Sequence, residues 1–132
     1  MARFSFKWLA ALAAFSVLSI AAFAQTQASA PSVETSLGVT PTTASVGSTV
    51  TVFGSITNTS SKSLKVTIDY TVVGPCNFTD AYTTKITLRP GETRTSSNSY
   101  TVPGCAGDYL ITATATAGGT VLDTKSVTVT AQ

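Results

Sequence analysis

Residues 64–72 have the sequence LKVTIDYTV, which gives the clearest indication of the fold. Apolar residues occupy every second position, and polar residues lie between them. Successive side chains of a β-strand point to opposite faces, so a period of two predicts a strand with one buried face. Thr and Val carry two heavy atoms on Cβ, which favours this extended conformation over a helix.

The same alternation recurs on both sides of this stretch, and no segment after residue 32 has helical periodicity. Turn residues such as Pro90-Gly91 and Gly118-Gly119 separate the alternating segments. Each segment has one apolar face and one face rich in Ser and Thr, which predicts an all-β sandwich of two antiparallel sheets. The seven predicted strands lie near residues 33–40, 50–57, 64–72, 82–88, 92–102, 109–117 and before 130.

Tyr109, in the segment Gly107-Asp108-Tyr109, refines this prediction. In immunoglobulin-like sandwiches a Tyr near the start of strand F bonds back to the backbone and fixes the corner before it. Tyr109 fits that role, and a buried strand residue without a corner bond is the alternative. The position two residues later, often Cys in antibody domains, is Ile111 here, so we expect no inter-sheet disulfide of that kind.

Several segments resemble bacterial immunoglobulin-like modules. These are SVGSTVTV at residues 45–52, LRPGE at 88–92, YTVP at 100–103 and GDYLI at 107–111. Along about residues 33–130 the chain is similar to the cell-adhesion-related domain of bacteria. The resemblance implies an immunoglobulin-like β-sandwich outside the cytoplasm that contacts a ligand or a partner. It carries no catalytic residue to this sequence.

Residues 1–24 have the pattern of a signal peptide. Arg3 and Lys7 form a basic start, an apolar run follows, and small residues flank the centre of Ala22-Phe23-Ala24. We therefore predict cleavage before Gln25 and export to the periplasm or the medium. An uncleaved anchor is the alternative, but the uncharged run is short for a membrane span.

Two further segments follow from this interpretation. We predict a flexible lead-in over residues 25–32 and one folded domain over residues 33–132. A second cleavage motif, Ala28-Ser29-Ala30, is less favourable because Pro31 would follow the cut. No second apolar stretch is present, so we expect no membrane contact after cleavage.

The charge balance limits the kinds of partner. The chain has 132 residues with eight Lys and Arg and six Asp and Glu. Loss of Arg3 and Lys7 with the signal peptide leaves six basic residues against six acidic ones. A neutral mature chain lacks the concentrated basic field that nucleic acids and anionic membranes require, so we expect neither as a partner.

Residue types also limit the chemistry. The sequence has no His, which excludes Ser-His-Asp catalysis and metal sites built on His. The acidic residues are scattered singly, so we predict no catalytic residue, no cofactor and no metal ligand. Asp80 near Asn77 offers a weak cation site, for which a capped loop is the favoured alternative. The six acidic residues are Glu34, Asp69, Asp80, Glu92, Asp108 and Asp123.

Cys76 and Cys105 are the only cysteines of the chain. Both lie in segments rich in Gly and Pro, and the signal peptide directs them to an oxidising compartment. We predict that they form a disulfide, on the basis of compartment and count rather than of fold. A redox pair is the alternative, but the spacing is not Cys-X-X-Cys.

Three aromatic residues are candidates for a binding surface: Phe53, Phe78 and Tyr82. Phe53 is out of phase with the apolar face of its strand, and Phe78 lies close to Cys76. The alternative is that each packs under a loop. The sequence therefore predicts a secreted, non-enzymatic module for protein contact, adhesion or envelope structure. A carbohydrate-binding module that uses these aromatic residues is the second hypothesis.

We expect the exported protein to begin at Gln25, because the small residues before it fit the site that signal peptidase cleaves. Intact-mass measurement of protein recovered from the periplasm or medium checks this. A full-length mass in a membrane fraction would contradict it.

Overall fold

The computed structural model describes residues 30–132, which form eight β-strands. Their bounds are β1 Val33–Thr40, β2 Thr43–Ala44, β3 Thr49–Asn58, β4 Leu64–Gly74, β5 Phe78–Leu88, β6 Thr93–Thr101, β7 Gly107–Ala117 and β8 Thr120–Ala131. The prediction of an all-β chain is confirmed. No helix within residues 30–132 has the length and apolar character to cross a membrane. The predicted signal peptide and the lead-in up to residue 29 lie outside the described residues.

The structure differs from the predicted strands in a few places. The two-residue strand β2 is additional, and β5 begins at Phe78, because the β4–β5 hairpin pairs Gly74 with Phe78. Ser32 belongs to the predicted flexible lead-in, yet its carbonyl accepts a hydrogen bond of 3.0 Å from the N–H of Thr59.

The strands form two sheets, in the orders β1-β3-β6 and β2-β8-β7-β4-β5. All neighbours are antiparallel except β2 and β8, which are parallel. The chain changes sheet between β1 and β2, next to the cis peptide bond Thr40–Pro41. The polar strand β6 has a neighbour on one side only, which places it at a sheet edge. This arrangement confirms the predicted immunoglobulin-like sandwich.

The core is divided into two clusters of buried side chains. The cluster at the disulfide end includes Val50, Tyr109 and Val129, and the cluster at the Asn58 end includes Val66 and Leu88. Between the two clusters, inward positions hold small residues, namely Gly54, Ser96 and Ala113. Because small residues fill little volume, the sheets enclose free space in the middle of the sandwich.

One side of the sandwich is closed by Asp123 of β8. The N–H and Oγ of Thr35 on β1 donate to Asp123 Oδ2 at 3.2 and 2.7 Å. Lys125 Nζ lies 3.0 Å from the same oxygen. These bonds join the edge of the three-stranded sheet to the five-stranded sheet.

Asn58 closes one end of the sandwich. Its side chain is fully buried, and Nδ2 donates to the carbonyls of Lys62 at 2.8 Å and Leu88 at 3.1 Å. Its Oδ1 accepts hydrogen bonds from the N–H and Oγ of Ser60. Both polar atoms of the amide are therefore satisfied, as burial requires.

The opposite end is held by a disulfide and by Tyr109. Cys76, after β4, is bonded to Cys105, after β6. The hydroxyl of Tyr109, which is fully buried, donates to the carbonyl of Cys105 at 2.7 Å. A Cβ atom at Gly74 would lie 2.3 Å from the Tyr109 ring, so a side chain at position 74 would displace the ring.

We expect the variant Asp123→Asn to be less stable than the native protein by about 1 kcal/mol at pH 7. The hydrogen bond from Thr35, then that from Lys125, lowers the pKa of Asp123 to about 2 from its usual 3.8. Ionised Asp123 therefore stabilises the fold above about pH 4, and this contribution disappears as the pH falls through 2.

Urea unfolding of both proteins between pH 7 and pH 2 measures the difference. Glu34→Gln, which makes the same charge change on the exposed face of β1, is the control. A difference for Asp123→Asn that stays constant down to pH 2 would contradict the assignment.

We expect the double variant Cys76→Ser, Cys105→Ser to lose about 3.5 kcal/mol of unfolding free energy, because the bond closes a long loop in the unfolded chain. The two cysteines are 29 residues apart in the sequence. Urea unfolding of the double variant and of the oxidised native protein gives the difference. Equal stability would show that the bond adds nothing.

Candidate ligand groove between the sheets

An open groove lies between the edges of β5 and β6, on the side opposite Asp123. Here the sheets do not meet, and the space between them has a volume of about 320 Å³ towards the disulfide end and about 200 Å³ towards the Asn58 end. We call this space the inter-sheet groove. Residues that line its larger part include Leu37, Val52, Tyr70, Val72, Asp80, Tyr82, Ser96, Asn98, Tyr100 and Ile111.

The β6 edge of the groove carries mostly polar side chains on its inward face. On β6 the inward residues are Arg94, Ser96, Asn98 and Tyr100, which lie opposite inward residues of β3. Bringing the edges together would bury these groups without hydrogen-bond partners, which is costly. Of the two strands that border the groove, β6 is thus the one without an apolar inward face.

Tyr82 is the most exposed large side chain in the groove. It shares the inward face of β5 with Leu88, yet 64% of it is accessible to solvent, because no strand of the three-stranded sheet covers it. Its ring stacks on that of Tyr70, with centroids 6.3 Å apart and planes at 27°. The pair forms an apolar surface within the groove.

Asp80 and Tyr100 lie at the end of the groove nearer the disulfide. Tyr100 is half-buried, and burial raises its pKa, with a smaller contribution from the negative charge of Asp80. Asp80 Oδ1 accepts the N–H of Ala81 at 2.9 Å. The ion pairs found within residues 30–132 do not involve Asp80. This end of the groove therefore presents a carboxylate without a cation.

Arg94 closes the other end. Its Nη2 donates to the carbonyl of Thr87 on β5 at 3.3 Å and to Glu92 Oε2 at 2.9 Å. Glu92 also accepts the N–H of Arg89, and this bond, followed by that from Arg94, lowers the pKa of Glu92. The positive charge at this end is thus neutralised, and a side chain spans the two edges.

The three predicted surface aromatics do not form one site. Phe53 is 45% exposed, and its ring lies over Gly38, its cross-strand neighbour on the outer face of the sheet. Phe78, the first residue of β5, is half-buried and makes an edge contact with Tyr109 at 5.8 Å. Phe53 and Tyr82 both border the groove, but the Phe53 ring is turned towards Gly38, whereas the Tyr82 ring stacks on Tyr70.

The sequence analysis did not identify Tyr70 and Tyr100 as possible ligand contacts. The alternation places each of them on the face of its strand that is predicted to be buried in the core. The available signal was the polar inward face of residues 94–98, which cannot cover a neighbouring sheet. Asp80, considered with Asn77 for a cation, is a strand residue in β5. Within residues 30–132 no three side chains of His, Cys, Asp or Glu are grouped as metal ligands would be.

The sequence matches no protein-family model and no curated protein. Solved structures do show the same fold. The CARDB domain of a Pyrococcus furiosus protein, determined in complex with di-metal ions, has a TM-score of 0.65 at 14% identity. The match covers 78% of this chain and 94% of that domain.

Two other similar structures are larger proteins. A β-glucosidase from Erythrobacter marinus has a TM-score of 0.62 at 12% identity, over 77% of this chain and 16% of the enzyme. A Pseudomonas fluorescens alkylpurine DNA glycosylase bound to DNA has a TM-score of 0.59 at 16% identity, over 76% and 30%. This chain thus spans less than a third of either protein. Its fold is the immunoglobulin-like β-sandwich of a CARDB domain.

Proposed function

We propose that this chain is an exported, non-enzymatic module that contacts a protein partner through the inter-sheet groove. The observation that carries the proposal is the exposure of Tyr82 on a strand face that a second sheet would normally cover. Large aromatic side chains in concave, partly dry surroundings dominate the energetics of protein contacts.

The composition of the groove supports this proposal. An apolar centre of Tyr70 and Tyr82 is flanked by polar residues such as Asn98 and Asp80, which is the arrangement of a protein interface with an apolar core and a polar rim. The volume near the disulfide end, about 320 Å³, also falls in the range of ligand sites.

Export and a non-catalytic role draw on other observations. The disulfide suits an oxidising compartment outside the cytoplasm. The similarity to the CARDB domain extends over nearly the whole of that domain, whereas the enzymes share only a small part of their chains with this one. The disulfide agrees with the predicted signal peptide at residues 1–24.

A carbohydrate is the second candidate ligand. The specific observation in its favour is that the exposed ring of Tyr82 lies in one groove with the polar side chains of Asp80 and Asn98. Such a ring can stack on an apolar sugar face while neighbouring polar groups bind hydroxyls.

We expect Tyr82→Ala to weaken partner binding by at least about tenfold, because it removes the exposed half of the aromatic pair. Partners are captured from cell-envelope extract, identified, purified and titrated against the native and variant domains. Leu110→Ala, which removes a large exposed apolar side chain of β7 that does not line the groove, is the control and should bind normally. Thermal melting confirms that both variants are folded.

The same proteins are applied to a glycan array. Sugar binding that depends on Tyr82, with no protein partner, would replace the protein hypothesis with the carbohydrate one. Binding that depends on Leu110 and not on Tyr82 would remove the groove from the function.

A further inference from the structure

Within residues 30–132, no strand pairs with β6 on the side away from β3. The five-stranded sheet extends to β5, but the three-stranded sheet stops at β6, so no strand packs over the middle of the inward face of β5, where Tyr82 lies. A strand that is hydrogen-bonded to the free edge of β6 would lie opposite β5 and cover Tyr82. Packed sheets in a sandwich cover each other in this way.

The free edge of β6 has backbone groups ready for such pairing. At the two ends of the strand, Asn58 N–H donates to the Glu92 carbonyl, and Val102 N–H donates to the Ser48 carbonyl. These bonds show that the backbone N–H and C=O groups of the even-numbered residues of β6 are directed towards β3. Because bonding alternates along an antiparallel pair, the odd-numbered residues direct their N–H and C=O groups to the free edge. They include Thr95, Ser97 and Ser99.

The edge of β5 across the groove is less available. Its Ala81 N–H is bonded to Asp80 Oδ1, and its Thr87 carbonyl accepts a hydrogen bond from Arg94. Within the described part of the chain, no side chain hydrogen-bonds to the free-edge backbone groups of residues 95, 97 and 99. Of the two edges that border the groove, β6 is therefore the one that can accept a strand.

The charges of the groove define what the added strand carries. Asp80 presents a carboxylate without a cation at the disulfide end, whereas Arg94 is already paired with Glu92 at the other end. An occupant with complementary charge has a basic residue facing Asp80 and apolar residues facing Tyr82. A strand antiparallel to β6 enters from the disulfide end, so its basic residue comes first.

We propose that β6 is a strand-addition site for an extended segment of a partner protein, with a basic residue followed by apolar residues at alternate positions. This inference depends on the proposed function and specifies the chemistry of its partner. The part of β6 that is free to pair runs from Thr95 to Thr101, because the side chain of Arg94 crosses the groove to β5 next to Thr95. Backbone bonds to β6 supply affinity, and the groove selects the alternate side chains.

The test uses the synthetic peptide acetyl-SKTVTVTS-amide, whose Lys and two Val residues share one face. We expect slower exchange of the Thr95, Ser97 and Ser99 amide protons on addition of the peptide, measured by NMR. A control peptide, acetyl-SKVTVTTS-amide, has the same composition but puts its Val residues on the opposite face from Lys. It should bind at least about tenfold more weakly.

Two substitutions at one position separate backbone from side-chain effects. Ser97→Pro removes a free-edge N–H without removing a bond to β3, and edge strands tolerate Pro. We expect it to weaken peptide binding at least about tenfold, whereas Ser97→Ala, which keeps the N–H, should bind normally.

The variant Asp80→Asn tests the charge pairing. It should weaken binding of the peptide that contains Lys but not binding of a peptide with Gln in place of Lys.

Three outcomes would overturn the inference. One is no change at the three amides at millimolar peptide, and another is equal binding by the native protein and Ser97→Pro. In the second case a loss of binding in Tyr82→Ala would leave the proposed function standing without strand addition. The third is a concentration-dependent change at these amides without peptide, which would assign the edge to a second copy of this chain.

Discussion

Gly74 pairs with Phe78 across a turn of three residues, and two of these, Cys76 and Asn77, have positive φ. So short a turn returns β5 directly beside β4 and leaves it no length to cross to the other sheet. Left-handed backbone is unfavourable for residues other than Gly, although Asn tolerates it comparatively well. The bond from Cys76 to Cys105 holds this turn to the loop after β6. The size of both sheets, the open edge of β6 and the exposure of Tyr82 all follow from where β5 is placed.

The division of the core follows from the same arrangement. With only three strands in one sheet, the middle of the sandwich cannot be filled from β6, whose inward residues are polar. Small residues such as Gly54 and Ala113 add no volume there, and two separate apolar clusters remain. Small cores supply limited stability, so other interactions gain importance in this domain. They are the disulfide, the Tyr109 corner, the buried Asn58 amide and the Asp123 bonds, which hold both ends and the closed side.

The alternation of apolar and polar residues was sufficient to predict the strands and the fold class, because each segment shows a period of two on its own. The segment 64–72 is an example, since its apolar residues Leu64, Val66, Ile68 and Val72 are all buried. The turn residues and the position of Tyr109 were sufficient to predict an immunoglobulin-like arrangement. The edge position of β6 could also be predicted, from its Ser and Thr content.

The groove could not be predicted from the same pattern. Alternation gives Tyr82 an inward face but does not reveal whether a strand lies opposite, because β5 would alternate identically in either sheet. Contacts between strands could not be predicted either. Examples are the hydrogen bonds of Asp123 with Thr35 and of Arg94 with the Thr87 carbonyl. They depend on which strands are neighbours, and no local spacing records that.

The parallel pairing of β2 with β8 has a mechanical consequence. β1 begins in the core cluster at the Asn58 end, and β8 finishes in the cluster at the disulfide end, so the chain enters and leaves at opposite ends. A pulling force applied between the start of β1 and the end of β8 acts along the strands. It loads the β2–β8 bonds and the Asp123–Thr35 bonds in shear, where several must break together, and does not peel them apart one at a time. Resistance to such a force therefore lies on the side of the sandwich away from the groove.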